Sequence, residues 1–94
     1  MRLYEDESKV LDLVLRDIKG DVYLFGSRVD DTKKGGDIDI LIYSQENSLK
    51  LSQQISREFR MELDSKLDVL VLDKFNMTKE QKIFVDTLDM VRIK

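Results

Sequence analysis

Apolar residues change their spacing several times along this chain, and each change marks an element. Val10, Leu11, Val14, Leu15 and Ile18 recur at helical intervals and predict a helix over residues 7–19. Lys9, Asp12, Arg16, Asp17 and Lys19 take its other face, and Gly20 reads as its stop. Asp21 to Phe25 is rich in strand formers and is closed by Gly26-Ser27. Residues 28–36 are polar and end in Gly35-Gly36, which is loop chemistry. Asp37 to Tyr43 reads as a second strand, followed by a polar connection in which Asn47 or Ser48 is the candidate helix cap. A second helix then runs to about Leu63, with Leu51, Ile55, Phe59 and Leu63 on one stripe. Leu67 to Leu72 is apolar at nearly every position and forms a third strand. Thr78 and Gln81 fit a capping box that opens a short last helix carrying Ile83, Phe84 and Leu88. Met90 to Lys94 reads as a short edge strand or a tail.

The short link between the first two strands suits an antiparallel pair. The helical crossover between the second and third makes those two parallel. The fold class is therefore α/β (α+β): a small mixed β-sheet flanked by helices. A length of 94 residues, without proline, repeat or low-complexity tract, reads as a single domain over residues 1–94. Phe75, Met77, Ile83, Phe84 and Met90 read mainly as cover for the sheet, with a partner surface as the alternative.

Composition narrows the chemistry. The chain has neither cysteine nor histidine, which excludes thiolate and imidazole zinc sites, disulfides, and Ser-His or Cys-His catalysis. A metal would need oxygen ligands, which favours magnesium or manganese. The net charge of −3 argues against direct nucleic-acid binding, leaving only a local basic patch around Arg28, Lys33 and Lys34. No apolar run approaches the ~20 residues of a membrane span. The expected location is the cytoplasm.

Three aspartates interrupt otherwise apolar strands. Asp37 and Asp39 are two positions apart and share one face, while Ile38, Ile40 and Ile42 take the other. Their spacing of roughly 6.5–7 Å lets two carboxylates converge on one cation. Asp68 shares a face with Leu70 and Leu72, where an ionised carboxylate is costly unless paired or metal-bound. Asp68 alone could be a buried partner for a lysine or arginine. Gly26 permits close backbone approach, and a turn of N–H groups entering a short helical turn is a ready anion site. Ser27 adds a hydroxyl donor and Arg28 a guanidinium able to chelate phosphate. Nine residues separate Ser27 from Asp37, enough for the loop to return beside the end of the first strand. A triphosphate would lie between the turn and the acids.

Phe25-Gly26-Ser27-Arg28, then Gly36-Asp37-Ile38-Asp39-Ile40, then Asp68 within Lys66 to Val71, resembles the minimal nucleotidyltransferase (MNT) group. That group belongs to the polymerase-β-like nucleotidyltransferase superfamily. The resemblance implies the polymerase-β-like fold, with ATP as substrate and Mg2+, two ions, as cofactor. It places Gly26 and Ser27 on the β- and γ-phosphates, Asp37 and Asp39 on the metals, and Asp68 as third carboxylate and metal ligand beside the acceptor. The loop here is one residue shorter than in many relatives, a difference Gly35-Gly36 is suited to absorb.

The implied reaction is attack of an acceptor hydroxyl on the α-phosphate, with pyrophosphate leaving. Larger relatives carry further domains for the acceptor, so here the acceptor is expected on another protein. MNT proteins of this size accompany HEPN-domain proteins, which implies an antitoxin that attaches AMP to a HEPN-type toxin. Two alternatives share the same nucleotide site: an antitoxin that neutralises its partner by binding alone, and an oligomeric enzyme acting on a small molecule.

Overall fold

A computed structural model describes residues 1–94. The elements are α1 (Glu5–Leu15), β1 (Val22–Phe25), a 3-10 turn (Gly26–Val29), β2 (Ile38–Tyr43), α2 (Ser48–Leu63), β3 (Leu67–Leu72), α3 (Lys79–Asp86) and β4 (Val91–Arg92). The four strands form one sheet in the order β3-β2-β1-β4. β1 runs antiparallel to β2 and β4, while β2 and β3 are parallel. The mixed α+β architecture expected from the sequence is the one observed. No helix is long and apolar enough to cross a membrane.

One sheet face is closed by α1 and α2. Val22, Leu24, Ile38, Ile40, Ile42, Leu67 and Val71 meet Leu11, Val14, Leu15, Leu51, Ile55 and Phe59 in a single core. The alternation of the strands dictates this, because each contributes every second side chain to that face. Asn47 caps α2, its side chain accepting the Lys50 N–H at 2.9 Å. Thr78 and Gln81 make the reciprocal capping box of α3.

α1 begins and ends earlier than the periodicity predicts. Its start is set by Glu7, whose carboxylate accepts the Tyr4 N–H at 2.9 Å, in a first turn where Glu5, Asp6 and Glu7 oppose the helix dipole. Its end is set by Lys94, whose ammonium takes the carbonyl of Leu15, the last helical residue, and those of Arg16 and Ile18 just past it. Ile18 therefore packs against the core from outside the helix. Gly20 does not cap α1; it sits at φ +110° against the Tyr43 carbonyl, where a Cβ would clash.

The second sheet face carries Tyr23, Phe25, Asp39, Leu41 and Tyr43, and it is only partly covered. Phe84 of α3 meets Phe25 edge-on at 6.4 Å, and Tyr23 meets Tyr43 at 5.9 Å. Yet α3 buries no residue of its own. Phe75 is 84% exposed and Ile83 56%, so the C-terminal apolar segment is not the core cover its composition suggests. Helix α3 is too short, at eight residues, to span the sheet.

Candidate functional site

Two strand registers assemble the site. Phe25 pairs with Asp39 across β1 and β2, which puts the turn that follows β1 beside the start of β2. Asp39 pairs with Asp68 across β2 and β3, which sets these acids abreast on neighbouring strands about 4.8 Å apart. Asp37 lies just ahead of β2, exposed, two residues before Asp39. The Gly26-Ser27 turn and all three acids thus meet at one end of the sheet.

Two glycines make the approach possible. Gly26 has φ +77°, and a Cβ there would lie 2.5 Å from Asp39 Oδ2. Gly36 has φ +90°, and a Cβ there would overlap the Ser27 hydroxyl. The first glycine lets the turn close on an acid. The second lets the far end of the loop close on the serine. Gly26→Ala should therefore cost about 1–2 kcal/mol for the left-handed backbone alone, lowering Tm by several degrees, and should also displace the Asp39 carboxylate. Gly35, at φ +64° with open space around its Cα, should accept Asn, which tolerates that backbone, with little change. Thermal melts of the two variants check the contrast.

The electrostatics of the acids are those of a charge cluster short of cations. Burial pushes the Asp39 carboxyl above the usual carboxylate range, and repulsion from Asp68 and then Asp37 pushes in the same direction. Asp68 is half-exposed, with a side-chain exposure of 44%, and Lys66 Nζ lies 3.5 Å from its Oδ1. The apolar run around Asp68 suggested a buried carboxylate; the open second face leaves it accessible instead. No three acidic side chains converge closely enough to form a ready cation cage. The donor set itself fits a hard divalent cation: three carboxylates, oxygen donors only, with one of them strained by desolvation and like charge. Asp37, Asp39 and Asp68 are the residues that would hold it.

Arg28 has a different place from the phosphate chelator suggested by its sequence position. It is buried against Glu7 in a two-pronged pair, Nη1–Oε1 at 2.6 Å and Nη2–Oε2 at 2.8 Å, with side-chain exposures of only 7% and 8%. Its Nε donates to the Gly36 carbonyl at 2.9 Å, and Nη1 also donates to the Arg2 carbonyl at 3.0 Å. The Arg28 hydrogen bond holds the Glu7 carboxyl below its ordinary range, more than offsetting the opposing effect of burial. Lys33 and Lys34 are exposed on the loop tip.

Sequence reasoning passed over Glu7, Arg2 and Lys66. The signal for Glu7 was present: it continues the buried stripe of Leu11, Val14 and Leu15 one turn toward the N-terminus, an acid where an apolar residue is expected. Such a position implies a buried cationic partner. Arg2 and Lys66 carry no comparable pattern.

The mixed sheet, with the glycine-serine turn and the acids of adjacent strands at one end, defines a small α+β domain. The family model of polymerase beta, nucleotidyltransferase, matches residues 17–88. The chain belongs to that family, whose chemistry is nucleotidyl transfer. No curated protein matches it closely enough to name a relative.

Proposed function

We propose that this chain transfers AMP from ATP to a hydroxyl group on a partner protein, a HEPN-type toxin, and so acts as its antitoxin. The observation that carries the reading is the double register Phe25–Asp39–Asp68, which sets the Gly26-Ser27 turn beside the acids. In this reading Gly26 and Ser27 seat the β- and γ-phosphates. Asp37, Asp39 and Asp68 would hold magnesium, which would supply charge neutralisation to the triphosphate. The acceptor oxygen attacks the α-phosphorus, the bond to the bridging oxygen breaks, and pyrophosphate leaves. Asp68, accessible at the edge of the site, receives the acceptor proton.

The protein acceptor is favoured by the open second face. Phe25, Leu70, Leu72 and Phe84 line an apolar cleft of about 480 Å³ with Asp68 at its rim. Ile83, next to Phe84 on α3, is exposed as well. The HEPN identity of the partner rests on the resemblance to MNT proteins. The second reading, neutralisation by binding alone, is favoured by the same exposed surface together with acids that are not drawn into a cation cage.

Intact mass of the chain and any co-purifying protein, after incubation with magnesium and ATP, tests the proposal. A partner that gains one or more AMP groups supports it. A bound partner that gains no mass, under conditions where the toxin is silenced, supports binding alone. Transfer to a soluble hydroxylated compound without any partner would point instead to a small-molecule enzyme.

A further inference from the structure

The segment ahead of α1 lies across the loop that joins β1 to β2. The Arg2 N–H donates to the Arg28 carbonyl at 2.7 Å. The Arg2 side chain then donates to three more carbonyls: Asp30 at 2.7 Å, Ser27 at 2.8 Å and Gly35 at 3.1 Å. Arg28 answers from below, taking the carbonyls of Gly36 and of Arg2 itself. Two guanidiniums thus gather carbonyls from both ends of one loop, Ser27 at its start and Gly35 and Gly36 at its end. These are the ends where Gly36 closes on the Ser27 hydroxyl.

This has a consequence for the other side of the same peptides. A peptide unit is planar and trans, so a carbonyl drawn one way sends the following N–H the opposite way. Holding the Gly35 and Gly36 carbonyls against the guanidiniums turns the N–H groups of Gly36 and Asp37 away from them. Successive N–H groups turned to one side make an anion cradle. Neither the Gly36 nor the Asp37 N–H donates to an acceptor within the protein.

We infer that Arg2 is a positioning residue for nucleotide binding: it clasps the two ends of the loop and presets the free Gly36 and Asp37 amides beside the Gly26-Ser27 turn. The inference rests on the reading of that turn as the phosphate site. Arg2 lies outside residues 17–88, so the family match does not include it. The Arg2 Nε and Nη2 are both taken by backbone oxygens. A lysine ammonium gathers its donors at one point and lacks the spread from Nε to Nη2 with which Arg2 reaches these three carbonyls.

The test uses Arg2→Ala, Arg2→Lys and, as a control for lost stability, Asn47→Ala, which removes the α2 cap beyond the opposite end of β2. Amide exchange of Asp30 and Lys33, whose N–H groups bond within the loop, is read beside the Kd for magnesium-ATP. Arg2→Ala should speed exchange at both amides and raise Kd by about 10- to 100-fold, the scale of a misplaced contact. Arg2→Lys should recover little of this, and Asn47→Ala should lower Tm without moving Kd. Unchanged exchange in Arg2→Ala overturns the clasp whatever the nucleotide does. Faster exchange at unchanged Kd overturns its positioning role, and full rescue by Arg2→Lys reduces it to charge attraction. Failure of the unmodified chain to bind nucleotide would overturn the phosphate reading and the positioning role with it, while the exchange result would still report the clasp.

Discussion

Asp39→Asn should abolish nucleotidyl transfer while making the metal-free protein more stable at neutral pH. The two effects share one cause. Burial, then Asp68, then Asp37 all disfavour the ionised Asp39 carboxyl, so its folded-state pKa lies above its unfolded one. A carboxyl raised in this way stabilises the fold below its ordinary range, and that contribution disappears as pH rises through the raised value. Above that point the native state carries a carboxylate it accommodates poorly. Asparagine keeps the shape and removes the charge. Melts in EDTA should therefore show the variant and the unmodified protein close together in acid and diverging in the variant's favour toward pH 7. Each kcal/mol gained is worth about 4–8 °C in a domain of this size. Transfer should fall by about 10²–10⁴-fold, since a cation ligand supplies several kcal/mol of charge stabilisation and about 1.4 kcal/mol is a factor of ten. A variant that melts earlier at pH 7, or keeps its activity, would contradict the assignment.

Arg28→Met should be among the most destabilising single changes in the chain. It leaves the Glu7 carboxylate buried without its partner, a situation that costs about 3–5 kcal/mol. Whole domains have only about 5–15 kcal/mol of stability. The loss also frees the Gly36 and Arg2 carbonyls. The double variant Glu7→Leu/Arg28→Met should recover much of it, because an apolar pair of similar volume avoids the desolvation of both charges. The pH dependence runs opposite to that of Asp39. Glu7 is held below its ordinary range chiefly by the Arg28 hydrogen bond, so its contribution is complete above that range and is lost as pH falls through the lowered value. Urea denaturation of the single and double variants measures all of this. If Arg28→Met unfolded within about 0.5 kcal/mol of the unmodified protein, a span typical of surface changes, the buried pair would not hold the loop.

The elements legible in the sequence are those where a local pattern and the tertiary environment agree. β3 was read with its observed bounds because an apolar run from Leu67 to Leu72 is flanked by polar residues on both sides. The stripe of Leu51, Ile55 and Phe59 on α2 is the stripe the core buries. Asn47 and the Thr78–Gln81 box act through neighbours three residues away, which a one-dimensional reading can see. The placement of Gly26, Ser27 and the three aspartates at one end of the sheet was also legible, because the link makes β1 and β2 neighbours and the crossover makes β2 and β3 neighbours. The registers that set Phe25, Asp39 and Asp68 abreast come from the structure.

What escaped depended on distant partners. The ends of α1 are decided by Glu7 and by Lys94, and Lys94 lies nearly eighty residues away in the chain. Arg28 looks like a free cation beside a phosphate turn until Glu7 and the Gly36 carbonyl are seen to occupy it. The exposure of Phe75 and Ile83 reflects the short reach of α3, which hydrophobicity alone does not reveal.

The most direct test of the site is the binding of manganese(II), a paramagnetic stand-in for magnesium, observed by NMR with and without ATP. The account predicts that ATP strengthens manganese binding. The first amides to broaden should be those of Gly26, Ser27, Asp37, Asp39 and Asp68, and Asp39→Asn should remove the effect. Broadening centred on another acidic stretch, such as the first turn of α1 with Glu5 and Asp6, or binding indifferent to ATP, would contradict the assignment of the three aspartates and the glycine-serine turn as one nucleotide site.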